Sequence, residues 1–135
     1  MAVMTAYRAA WTAFEHAAAT SNAFDPRLPA TMTDPLLEEV RRALVSDKST
    51  GIVTRGAIEL HPELAALSDR EATVFDCTFS YSELIYSRTA KPVPPVTPPE
   101  HDGVKATLTL VASKRSATWK VSQQTITEGR CPPGY

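Results

Sequence analysis

The stretch Thr73–Phe79, TVFDCTF, sets a carboxylate, Asp76, beside a thiol, Cys77, within a run of β-branched and aromatic residues. Several chemistries use such neighbours. A cysteine nucleophile needs a base that holds it as thiolate. A zinc site needs further thiols or imidazoles at close spacing, and a structural disulfide needs a second cysteine within reach. The chain holds two cysteines, Cys77 and Cys131, and three histidines, His16, His61 and His101. The thiols form no C-x-x-C pair and the histidines show no ligand spacing, so no metal and no cofactor is expected. Nothing in the sequence brings a histidine to Cys77. If Cys77 lies mid-strand and Cys131 at the end of the last strand, an antiparallel sheet sets them on neighbouring strands or pins the terminal tail. A disulfide is then the leading reading, with two separate thiols as the alternative.

Strand alternation turns Asp76 away from Phe75, Cys77 and Phe79 and into the company of Val74 and Thr78. The two sequence neighbours therefore cannot readily serve one another. On a pocket-lining face Asp76 would be a proton acceptor or substrate anchor. Against solvent or a turn amide it would be a hydrogen-bonded strand aspartate, and this second reading is preferred. The aromatic residues are in general core, but tyrosine and tryptophan carry polar atoms that need partners, so some are expected to border a cavity. The candidate pocket set is Tyr7, Trp11, Phe14, Tyr86 and Trp119. His61-Pro62 and His101-Asp102 read as loop residues without catalytic roles.

The elements that must position these groups are legible from period and punctuation. Met4, Tyr7, Trp11 and Phe14 recur at three- and four-residue steps on an alanine-rich background, which predicts an amphipathic helix. The proline-bearing segment TSNAFDPRLPATMTDP breaks it. Asp34-Pro35 then starts a second helix, with Leu36, Leu37, Val40 and Leu44 as its apolar stripe, a Glu38–Arg42 pair outside, and an end near Asp47 ahead of Gly51. From Gly51 the period alternates: Ile52, Ile58 and Leu60 share one face, Arg55 and Glu59 the other, and Gly56 marks a bulge or bend. HPELAALSDRE reads as a connection. A long strand region follows over EATVFDCTFSYSELIYSR, then a proline-rich excursion, Lys91–Gly103, of extended type. VKATLTLVA and SATWKVSQQTIT close the chain as strands about an SKRS turn. The fold class expected is α+β: two N-terminal helices packed on a curved, mostly antiparallel sheet of four to five strands.

With 135 residues, the chain is expected to be a single domain over 1–135. Its formal charge of −1 offers no general attraction to nucleic acid or to an anionic membrane. The opening MAVMTAYRAAWTAFEHAAA is interrupted by Arg8, Glu15 and His16, and reads as neither signal peptide nor membrane anchor.

With its two N-terminal helices, the bent strand around Gly56, and the ending ATWKVSQQTITEG with Trp119-Lys120-Val121, the chain resembles the nuclear transport factor 2-like superfamily, also called SnoaL-like or cystatin-like α+β cones. More narrowly, Tyr7 with Trp11, VTRGAIELHPEL, ATVFDCTF, KPVP and EGRC are similar to exported actinobacterial members, many of them lipoproteins. The resemblance implies a curved sheet wrapped around helices, a conical cavity, and pairing of Cys77 with Cys131. It also implies a secreted or cell-envelope location, with membrane attachment only through a segment absent from this chain. Isomerase and cyclase members place an acidic base and a tyrosine or acidic donor in the cone. Asp76 and Tyr7 are the conceivable counterparts, but no matching acid–base motif is present, so no catalytic residue is assigned. The function expected is that of a non-catalytic extracytoplasmic domain that binds a small apolar ligand or a protein partner, with homodimerisation as its conceivable assembly. The alternatives are a small isomerase, cyclase or dehydratase using Asp76 and Tyr7, and an oligomerisation module of a secretion machine.

Overall fold

Tyr7 and Trp11 are buried on one side of helix α1 (Ala2–Ala18), with Met4 and Phe14 packed beside them. The computed structural model describes residues 2–96 and 98–131. The proline-bearing segment after α1 is more ordered than its composition suggests. Arg27–Thr31 forms a short helix, α2, that buries Leu28. Helix α3 (Leu36–Ser49) starts where the sequence signals it. Asp34 Oδ1 accepts the Glu38 amide at 3.2 Å, and Glu38 pairs with Arg42 at 2.8 Å. Gly51, at φ +72°, follows the end of α3 in the left-handed region that glycine adopts without a Cβ penalty.

Among the described residues seven strands follow: β1 (Ile52–Arg55), β2 (Ile58–Glu59), β3 (Glu63–Leu67), β4 (Glu71–Ser80), β5 (Glu83–Tyr86), β6 (His101–Ala112) and β7 (Ala117–Thr127). The main antiparallel sheet has the order β2-β4-β6-β7, with β3 also paired to β4, while β1 and β5 form a separate two-stranded ribbon. Gly56 is the bend that passes the chain from the ribbon to the sheet. Its φ is +110°, and a Cβ there would lie 2.5 Å from the Tyr81 carbonyl oxygen. The fold class is thus α+β as expected, helices on a mostly antiparallel sheet of five strands.

Two local readings change. HPELAALSDRE is not a plain connection, because Glu63–Leu67 pairs with the first half of β4, with a register shift between Leu64 and Ala66. The segment buries little, so it lacks the alternating apolar signal of a strand; the open edge of β4 supplies the backbone partners that fix it. His101 and Asp102 are strand residues, since β6 begins at His101. The proline-rich segment is tied down at its start, where the Tyr86 amide bonds the Lys91 carbonyl at 2.9 Å and the Val93 amide bonds the Leu84 carbonyl at 3.0 Å. Thr97, within that segment, lies outside the described residues. The SKRS turn closes as read, by a 2.7 Å bond from the Ser113 amide to the Ser116 carbonyl.

The core lies between the helices and the concave face of the sheet. Ala72 and Val74 of β4, Val104, Ala106 and Leu108 of β6, and Val121 of β7 meet Tyr7, Trp11, Leu28, Leu36 and Leu44. Each large side chain so buried stabilises the fold by roughly 1.5–3 kcal/mol. Met32 is extended, and the Thr33 amide bonds the Val121 carbonyl at 3.0 Å, which holds the α2–α3 link against the edge of β7. No helix among the described residues is long and apolar enough to cross a membrane.

Candidate binding cleft

Asp76 and Cys77 face opposite sides of β4, and each has its own partner. Asp76 is fully buried with Val74 and Thr78 on the concave side. Its Oδ2 accepts the Tyr7 hydroxyl at 2.6 Å, and its Oδ1 accepts the His61 backbone amide, also at 2.6 Å. Cys77 is disulfide-bonded to Cys131 across a Cα–Cα distance of 5.3 Å. A histidine does come near: His61 Nδ1 lies 2.9 Å from the Cys77 carbonyl oxygen, and its Nε2 lies 2.9 Å from Glu59 Oε1. The sulfur itself is committed to the staple, which holds the terminal segment on the convex face.

The core does not fill the whole space between helices and sheet. Toward the ends of β2, β4 and β6 a cleft of about 400 Å³ opens. One wall is helical: Ala10, Trp11 and Phe14 of α1, and Leu36, Glu39, Val40 and Ala43 of α3. The other is the continuation of the concave face: Ile58 and Ser80, which are cross-strand partners, with Thr78, Asp102, Gln124 and Ile126. Trp11 and Phe14 meet edge to face at 6.3 Å between ring centres. The Trp11 indole nitrogen is buried and has no acceptor among the described residues.

The expected pocket set is thereby divided. Trp11 and Phe14 line the cleft. Tyr7 lies behind it, fully buried and bonded to Asp76, and neither of these two lines the opening. Trp119 packs on the core near the start of α1, beside a shallow hollow shared with Ala2, Ala6 and Ala9. Tyr86 is exposed on β5, in the separate ribbon. The α3 and strand-end residues, some of them read from the sequence as apolar stripe, were not among its candidate pocket residues. Their signal is faint: Leu36, Val40 and Ala43 continue one helical stripe, and Thr78, Asp102 and Ile126 continue the inward alternation past the last core residue.

Elsewhere, polar side chains fasten loops. Asp25 is buried, its Oδ1 accepting the Arg27 amide at 2.9 Å and its Oδ2 bonded to His16 Nδ1. The Arg27 amide holds the Asp25 carboxyl below the ordinary value of 3.8; burial works against it, and His16 adds to the lowering. The neighbouring Glu59 carboxylate raises the Tyr81 phenol above 10.0. Among the described residues no group of three or more His, Cys, Asp or Glu could hold a metal ion.

Fold and site together define an α+β domain of helices on an antiparallel sheet, stapled on its convex side and open at one end as an apolar cleft. Comparison with protein-family models finds no match, and comparison with curated proteins finds none either. Among solved structures the chain is similar to the intermembrane space region of chloroplast protein ARC6, with a TM-score of 0.71 and 13% identity over 94% of this chain and 97% of that one. At that identity the likeness is one of fold.

Proposed function

We propose that this chain is a non-catalytic extracytoplasmic binding domain of nuclear transport factor 2-like type, which receives an apolar ligand between α1, α3 and the strand ends. The observation that carries this reading is the mostly apolar cleft of about 400 Å³, a size that falls among small-molecule sites. Tyr7 and Asp76, the candidate donor and base, lie outside its lining and are bonded to each other. The export part of the reading draws on the Cys77–Cys131 disulfide, since such bonds persist in oxidising compartments.

The cleft is tested with N-phenyl-1-naphthylamine, an uncharged probe whose fluorescence rises in apolar surroundings. Expected is a saturable rise with the native protein, weakened at least tenfold by Ala43→Phe, which obstructs the mouth from an exposed helix position, and retained by Tyr7→Phe. No rise at high protein concentration would overturn the binding reading. Loss of the rise in Tyr7→Phe, with the fold intact, would return the Tyr7–Asp76 pair to the site.

A further inference from the structure

The charges on the cleft select among apolar ligands, an inference that rests on the cleft being a binding site. Glu39 of α3 and Asp102 of β6 line it, and among the described residues no lysine, arginine or histidine does. Among the described residues the Glu39 carboxylate has no hydrogen bond or ion pair. Asp102 gives Oδ1 to the Gly129 amide at 2.8 Å, which leaves its second oxygen available. Three cations of neighbouring elements are engaged elsewhere. Arg42 pairs with Glu38 at 2.8 Å, Arg41 bonds the Ala23 carbonyl at 3.2 Å, and Lys120 bonds the Pro29 carbonyl at 2.7 Å. Lys105 and Arg130 line a hollow on the other face of the sheet.

An aromatic wall with carboxylates beside it is the chemistry that holds an organic cation. The faces of Trp11 and Phe14 attract a cation through their ring quadrupoles. Carboxylates with no cation partner, set beside apolar walls, make the local potential negative, which concentrates positive ligands and disfavours negative ones. A neutral apolar ligand covering either carboxylate would desolvate it and offer it nothing. We propose that the cleft takes an amphipathic organic cation, an amine or quaternary ammonium on an alkyl or ring body. The charged head sits among the two carboxylates and the Trp11 and Phe14 rings, and the body lies against Leu36 and Val40.

The test compares three probes with one eight-carbon chain, below their micellar concentrations and by calorimetry: octyltrimethylammonium, octyl glucoside and octanoate. The cation is expected to bind at least tenfold more tightly than the glucoside, and octanoate more weakly than either. The preference should shrink as salt rises and vanish in the Glu39→Gln, Asp102→Asn double variant, in which D102N still offers an oxygen to the Gly129 amide. Equal binding of cation and glucoside would overturn the charge assignment while leaving the cleft reading in place. A cation preference that survives the double variant would also overturn it, and failure of all three probes to bind would overturn both.

Discussion

The Tyr7 hydroxyl of α1 donates a 2.6 Å hydrogen bond to Asp76 Oδ2 of β4, across a sequence separation of 69 residues, with both side chains fully buried. The other carboxylate oxygen takes the His61 amide at the turn between β2 and β3. One buried carboxylate therefore ties the first helix, the central strand and a connecting turn. Its energetic weight lies less in forming the bonds than in the cost of leaving any of these groups unpaired in a dry interior.

Tyr7→Phe should lower stability by about 1–3 kcal/mol, because it removes one donor to a buried carboxylate and little volume. Asp76→Ala should cost more, since it strands both the Tyr7 hydroxyl and the His61 amide and leaves a cavity. Urea denaturation of the two variants measures this. Native-like midpoints in both would show that the pair carries no structural load.

The Cys77–Cys131 bond closes a sequence separation of 54 residues. In the chain-entropy model, removing it by Cys77→Ser with Cys131→Ser costs about 4 kcal/mol. The denatured, unreduced protein should show no reactive thiol, and reduction should move the denaturant midpoint down. Two reactive thiols in oxidatively expressed material would count against the staple and against the export reading that draws on it.

Gly56 and Gly51 both have positive φ, yet they should respond differently to alanine. A Cβ at Gly56 would meet the backbone of Tyr81 and Ser82 at 2.5 and 2.8 Å, whereas at Gly51 nothing lies within 4 Å. Gly51→Ala should cost about 1–2 kcal/mol from the left-handed conformation alone. Gly56→Ala adds a backbone clash and should be clearly the worse of the two in thermal melts; equal losses would argue against the close approach at the bend.

The Asp25 carboxyl titrates below its ordinary value of 3.8, through the Arg27 amide and the His16 side chain against burial. A folded value lower than the unfolded one means that the contribution is fully present above the unfolded value and is lost as pH falls through the folded one. Stability should therefore drop below about pH 4, and Asp25→Asn should flatten that acid limb while lowering stability at neutral pH. Denaturation midpoints between pH 2 and 7 would decide; an unchanged acid limb in the variant would exclude Asp25 as a source of it.

Much of the frame is legible in the chain because it depends on local rules. The stripe of Met4, Tyr7, Trp11 and Phe14, the Asp34-Pro35 start, the glycine past α3 and the alternation through β6 and β7 are set within a few residues by period, capping and turn chemistry. The same alternation separates Asp76 from Cys77. What the chain does not carry locally is decided by tertiary partners. Glu63–Leu67 becomes a strand because β4 has a free edge to pair, and the Tyr7 hydroxyl finds Asp76 because the packing of α1 on the concave face brings them together. The cleft forms because the ends of β4, β6 and β7 run on past their last core residues beside α1 and α3, so that Trp11, Glu39 and Asp102, from three distant segments, come to line one space. Period and propensity report on neighbours along the chain; a cavity is a property of surfaces that meet only when the chain has folded.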